Sequence, residues 1–359
     1  MGKLETMSTR RDGLIQTVTG LIRPDQLGMT LPHEHLWIDT AHFYQDPKPQ
    51  HKHKINDPIS LSNYGWVQQN PYSCKDNLSL MEESTSEAIQ KEMEFFKQNG
   101  GCSIVENTTT GIAPNYKFLQ ELSKTVGVNI IAGTGYYVND FQTDATKQLS
   151  VEAMSEKIRR DVTEGFDGTG IKCGVIGEVG CQWPLTDFER KSLQASAAVQ
   201  MELGCPVIIH PGRHPDAPFE IVQVFQEAGG DVSKTVMSHL DRTIFDNKVL
   251  LEFAALGCYC EYDLFGIETS HYQIIASVDM PSDAQRIHKI KLLIDEGYLD
   301  KITISHDIHT KHRLMKYGGH GYSHILENIM PKMLTRGISK ETVHQITVNN
   351  PKNWLTYKK

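Results

Sequence analysis

Short apolar runs and longer amphipathic stretches alternate from one end of this chain to the other. Eight runs are rich in β-branched and apolar residues and turn polar toward their ends. They are 30–38 (TLPHEHLWI), 102–108 (CSIVENT), 129–136 (NIIAGTGY), 172–179 (KCGVIGEV), 206–211 (PVIIHP), 235–240 (TVMSHL), 257–263 (GCYCEYD) and 302–307 (ITISHD). Such runs have the length and composition of strands covered on both faces. In 84–99, Ile89, Met93 and Phe96 recur at i, i+4 and i+7, and Gly100 follows as a stop. Stretches 186–203, 218–228, 246–255, 282–297 and 323–336 read similarly as helices. Strand–helix alternation predicts a parallel sheet, and eight strands in one chain of this length predict a (β/α)₈ TIM barrel. An open, doubly wound sheet is the alternative, but no GxGxxG turn follows the first strand.

One segment breaks the rhythm. Residues 41–77 are polar and without periodicity, which reads as a long loop inserted after the first strand of a single barrel domain spanning 1–359. Loops of that length usually serve as lids or interface pieces, and a homodimer contact through it is an expectation.

Composition narrows the function classes. The 359 residues carry 36 Lys+Arg against 44 Asp+Glu, a net charge of −8. That lacks the basic footprint of a nucleic-acid binder, and no window is apolar enough to span a membrane. The seven cysteines are odd in number and include no CxxC pair. Neither a disulfide framework nor a zinc knuckle is expected; the thiols read as reduced and buried. The first residues, MGKLETMSTRRDG, have no apolar signal region, so a cytoplasmic protein is expected. Sixteen histidines are a high share for this length.

Where those histidines fall is informative. His33 and His35 are two apart on the first strand, so their imidazoles point the same way. Glu178 ends the fourth run, His210 the fifth, His239 the sixth and Asp307 the eighth. The C-terminal ends of barrel strands converge on one pocket. Four imidazoles and two carboxylates there suit two divalent ions, with Zn²⁺ the expected metal and Mn²⁺, Co²⁺ or Fe²⁺ competent. A single histidine at a strand end is more often a structural residue. Burying four of them with two carboxylates, and no metal, would cost several kcal/mol each.

The segments GMTLPHEH, VIIHPGR, SHLDRT and SHDIHTKHRLMKYGGHGYSHI resemble the phosphotriesterase family of amidohydrolases, and the resemblance runs from about residue 16 to 354. It implies a barrel with two metals at the C-terminal face. His33, His35 and Asp307 would bind the more buried ion, and His210 and His239 the more exposed one. Many family members bridge the ions with a carboxylated lysine. Here the fourth run reads CGVIGEVG, so Glu178 takes the bridge, while Lys172 lies too early on the strand. The resemblance further implies attack by a metal-bridging hydroxide with Asp307 moving the proton. The implied substrate is a small N-acyl amine, N-acetyltaurine foremost; a lactone or phosphotriester is the alternative.

The substrate side rests on charge. Arg213 and Arg242 each follow a metal-binding histidine by three residues, and Lys311 and Arg313 follow Asp307. Cations clustered after ligand strands in an acidic protein point to a small anionic substrate. Salt bridges to Asp241, Glu261 or Asp263 are the competing use of these cations. Tyr137 and Tyr262, at the ends of the third and seventh runs, are candidate pocket walls. Asn107 would hydrogen-bond either substrate or a loop backbone. His309, His312, His320 and His324 read as loop structure around the site, and His51 and His53 as solvated surface.

Overall fold

The structure, a computed structural model, describes residues 11–269 and 271–358. Ten strands follow in chain order: β1 (Ile15–Thr17), β2 (Gly20–Ile22), β3 (Thr30–Glu34), β4 (Ser103–Glu106), β5 (Asn129–Thr134), β6 (Val175–Gly180), β7 (Val207–His210), β8 (Thr235–Met237), β9 (Tyr259–Tyr262) and β10 (Ile302–Ile304). Strands β3 to β10 pair with their sequence neighbours, each pair parallel. The first and last approach each other as well: the Asp307 N–H donates to His33 O at 3.1 Å, and the His33 N–H to Ser305 Oγ at 3.1 Å. The result is a nearly closed eight-stranded barrel, and all eight expected strands belong to it.

Alternation along the strands sorts the side chains into layers. Val105, Ile131, Val175, Ile208, Val236 and Tyr259 form one apolar cluster with Ile15, Leu27, Trp354 and Leu355, which fills the base of the barrel. The Trp354 indole N–H donates to Val207 O at 3.1 Å. Two residues past Ile208, Val236 and Tyr259, on the same faces, stand His210, Ser238 and Glu261. The β-ladders thus carry apolar residues to the base and polar ones to the top.

Helices cover the outside. Glu83–Gln98, Asp187–Leu203, Ala217–Glu227, Asn247–Ala254 and Asp283–Asp295 match the amphipathic stretches. Capping boxes at Thr186/Glu189 and Ser282/Gln285 start two of them. The stretch 323–336 is not one regular helix: a π-helical turn, Ile325–Ile329, precedes Met330–Thr335, where Pro331 cannot donate to the ladder. The β1–β2 hairpin was not foreseen, because three-residue strands are too short to show a period. Residues 41–77 are more ordered than a loop. They form short helical turns at Ala41–Phe43, Pro49–Lys54, Tyr64–Gln69 and Lys75–Leu78. Tyr72 and Leu78 pack against Tyr272 and Val278. His51 and His53 lie at the surface on one of those turns.

Among the described residues, no helix is long and apolar enough to cross a membrane. One backbone position is critical to the site. Gly177 has φ +121°, and a Cβ there would lie 2.1 Å from Ile208 O. Gly177→Ala should therefore lower folding stability by about 3 kcal/mol or more, read as the shift in a urea unfolding midpoint.

Candidate active site

Six side chains from five strand ends meet at the top of the barrel. The Glu178 carboxylate lies at their centre. Its Oε1 is 3.3 Å from His35 Nε2, and its Oε2 is 3.5 Å from His33 Nε2, 3.0 Å from His210 Nδ1 and 3.7 Å from His239 Nε2. Asp307 Oδ1 is 3.2 Å from His35 Nε2 and 3.8 Å from His33 Nε2. His210 Nδ1 and His239 Nε2 are 2.9 Å apart. Two groups thus share Glu178: His33, His35 and Asp307 on one side, His210 and His239 on the other. Asp307 and His239 both have positive φ, 53° and 54°. Such strained backbone in non-glycine residues concentrates at functional sites.

The outer face of the cluster fixes the rings. Asp263 accepts from His33 Nδ1 at 2.8 Å and from His239 Nδ1 at 2.8 Å, so one carboxylate orients an imidazole on each side. His35 Nδ1 donates to Thr108 Oγ1 at 2.9 Å, and that hydroxyl donates on to Glu106 at 2.6 Å. With Nδ1 protonated, the Nε2 lone pairs of all three rings face inward. His210 is turned the other way, presenting Nδ1 inward, with Nε2 3.3 Å from Arg242.

A profile described as "Phosphotriesterase family" matches residues 13–355. The chain belongs to the phosphotriesterase family. It is accordingly a hydrolase. It is 56% identical to a mouse (Mus musculus) protein named N-acetyltaurine hydrolase, over 96% of this chain and 99% of the relative. The Xenopus tropicalis protein of that name is 58% identical over the same shares. Among solved structures, a resiniferatoxin-binding protein from Rhodobacter sphaeroides superposes with a TM-score of 0.91 at 31% identity, covering 96% of this chain and 95% of that one. A phosphotriesterase-like lactonase mutant from Deinococcus radiodurans gives 0.74 at 26%, covering 95% and 99%.

The site fits the divalent metals of a phosphotriesterase-family hydrolase. Two atoms bound to one ion at about 2.1 Å stand about 3–3.5 Å apart, near the ligand separations here. His33, His35 and Asp307 offer atoms all within 4.8 Å of one another, as do His33, Glu178 and His239. His33 Nε2 is buried with no hydrogen-bond partner among the described residues, the state of a nitrogen aimed at an ion. A third such trio, His33, Glu261 and Asp263, uses the outer side of the same imidazole.

Charge in the cluster is matched internally. Burial opposes ionisation of Glu178, but His33 and His210 outweigh it and hold the carboxyl well below its ordinary range. Burial likewise opposes ionisation of Asp307, which His309, His35 and His33 reverse. Burial pulls His35 down, yet Asp307 and Glu178 lift it to about 9. Glu178 and Asp263 raise His33 well above normal in the same way. Burial keeps His210 well below it. A histidine with a pKa near 9 carries a proton at pH 7.5, and an ion can bind only its neutral form. Metal binding at pH 7.5 should therefore release at least one proton, and affinity should rise with pH up to about 9. Calorimetric titrations of metal-free protein in buffers of different ionisation enthalpy read that proton directly.

The cavity above the cluster has an empty volume of about 790 Å³ with its open mouth included. Arg213, Arg242 and Tyr137 line it. The Tyr137 hydroxyl is 3.5 Å from His210 Nδ1. Two expectations, at Tyr262 and Lys311, are corrected. Tyr262 does not wall the pocket: it is one residue past inward-facing Glu261, so alternation turns it outward into the apolar layer between barrel and helices. Lys311 is not a substrate contact: buried, its ammonium pairs with Asp76 at 2.7 Å and Glu82 at 2.8 Å. Asn107 serves the backbone, donating to Pro32 O at 3.1 Å from a fully buried position. Arg313 lines the cavity but is spent on the carbonyl oxygens of His306 and Asp307.

Sequence reasoning missed several contributors. The sequence suggests Glu261 and Asp263 only as partners for the arginines, yet Asp241 pairs with Arg286 and Asp263 with the two histidines. His309, read from the sequence as loop structure around the site, touches Asp307 Oδ2 at 3.2 Å and Tyr72 OH at 3.2 Å, and both it and His312 line the cavity. Phe43, Tyr72 and Tyr272 supply its aromatic wall. Polar residues two past an inward apolar residue were the signal available for Glu261.

Proposed function

We propose that this chain hydrolyses N-acetyltaurine to taurine and acetate, using two zinc ions held by His33, His35, Glu178, His210, His239 and Asp307. One observation carries the substrate choice. The Arg213 and Arg242 guanidiniums face the cavity beside the cluster, and neither has a carboxylate partner among the described residues. Burial, and then the charge of Arg213, hold Arg242 below its usual range. Two neighbouring cations in a water-poor cavity are costly alone and favourable around an anion. A sulfonate two carbons from the scissile amide supplies that anion. The name of the relatives at 56% and 58% identity supports the same choice. Zinc suits a mixed imidazole and carboxylate set.

The residues divide the work. Divalent ions in this site supply an acidified water and a Lewis acid for the carbonyl oxygen. Asp307 accepts the proton of the attacking water and delivers it to the nitrogen, which leaves as an amine. An unprotonated amide nitrogen leaves poorly, so a carboxylate beside both positions is what the reaction requires. His309, on Asp307 Oδ2, steadies that carboxylate. The aromatic wall of Phe43, Tyr72 and Tyr272, with Tyr137 beside it, limits water. Seven unpaired thiols suit a reducing cytosol.

The test is proton NMR of zinc-loaded protein with N-acetyltaurine, watching free acetate. Arg242→Ala should raise KM for this substrate about 10- to 100-fold, as expected for a lost charge-assisted contact. Likeness to a lactonase keeps lactone hydrolysis as the second reading. Efficient lactone turnover indifferent to Arg242→Ala, with no acetate release, would select it.

A further inference from the structure

Two loops meet over the cavity. One is the segment 41–77 after β3, and the other follows β9. Gln273 of the second clasps the first at two points: its Oε1 accepts from the Tyr72 N–H at 3.1 Å, and its Nε2 donates to Ser73 Oγ at 2.6 Å. The rings of Tyr72 and Tyr272 meet edge-on, 6.3 Å apart.

Arg213 sits at this junction. Its Nε donates to the Tyr272 hydroxyl at 2.7 Å. Its guanidinium carbon lies 5.4 Å from the Tyr272 ring centre and 5.7 Å from that of Phe43. One ring of the bracket therefore comes from each loop, and the cation from a third loop, after β7. Tyr272 takes up Nε and leaves both Nη groups without a hydrogen bond among the described residues. Those two groups form the fork that binds an oxyanion through parallel bonds. A phenol is also a suitable partner in charge: it orients the guanidinium without neutralising it, as a carboxylate would.

We infer that Tyr272, seated by the Gln273 clasp, determines specificity: it aims Arg213 at the anionic end of the substrate, so that preference for anionic over neutral N-acyl amines exists only where the two loops meet. This rests on the proposed hydrolysis of an anionic N-acyl amine. Tyr272 is a positioning residue, and its loss frees a side chain with several rotatable bonds.

The experiment compares zinc-loaded wild type, Tyr272→Phe and Gln273→Ala on N-acetyltaurine and on neutral N-acetylethanolamine. Tyr272→Phe should lower the ratio of kcat/KM for the anionic over the neutral substrate about tenfold, mainly through KM. Gln273→Ala should lower it in the same direction. A purely structural role would depress both substrates equally, so an unchanged ratio in folded Tyr272→Phe overturns the inference. Calorimetric titration with ethanesulfonate gives a reading independent of catalysis: Kd should weaken about tenfold in Tyr272→Phe. Equal Kd values, or no binding to wild type, overturn the inference. If wild type cleaves neither amide, the proposed function falls while the ethanesulfonate titration still decides the clasp. If Tyr272→Phe does not fold, Gln273→Ala, which removes the clasp that seats Tyr272 and keeps both Tyr272 and Arg213, carries the test.

Discussion

Asp307→Asn is expected to reduce kcat for amide hydrolysis about a thousandfold, within the range for a lost general acid–base group. The substitution is close to isosteric, and asparagine tolerates a backbone φ of 53° better than most residues. The fold should therefore survive. What changes is the chemistry: a carboxamide cannot take the proton of the attacking water or return it to the leaving nitrogen. The Asp307 carboxylate also lies near His35 and His33, so metal content has to be measured alongside acetate release. A variant that keeps its metal and loses turnover isolates the proton-carrying role. Turnover within tenfold of wild type would remove Asp307 from it.

The second large effect is expected at Asp263, which does not line the cavity and lies on the outer side of the cluster. Its carboxylate accepts from His33 Nδ1, from His239 Nδ1 and from the His239 N–H at 3.1 Å. Asn at 263 has one acceptor oxygen and one donor group. The donor would face an N–H, so one of the two imidazoles must turn. Because the two belong to different sides of the cluster, Asp263→Asn should weaken zinc binding about 10- to 100-fold. Competition with a chromophoric chelator reads this as the free zinc at half-saturation. Loss of zinc affinity no greater than twofold would mean the imidazoles are held by packing instead.

Legibility in the sequence followed from how each residue reaches the site. The six cluster residues stand at or just past the ends of apolar runs, so one-dimensional pattern plus barrel geometry brought them together. The same logic failed at Tyr262, because being at a strand end says nothing about which face a residue occupies. Residue 261 was the inward one. Lys311 was misread for a different reason: its partner Asp76 is 235 residues away, in a segment without periodicity. Asp263 lies at a strand end, but the orientation of two imidazoles by one carboxylate is a three-strand relation that no local window contains. Arg213 and Arg242 were found by their offset from the histidines, while the ring bracket around Arg213 depends on two loops whose meeting is purely tertiary.

The join between the first and last barrel strands has a consequence for when the site comes into being. The His33 N–H and the Ser305 hydroxyl that receives it are separated by 272 positions. His33 and Asp307 face each other across that same join. During synthesis the amino-terminal ligand pair is made early and must wait for nearly the whole remaining chain. Metal uptake is thereby tied to completion: a stalled or prematurely ended polypeptide would hold some of the right histidines yet never assemble the full chelate.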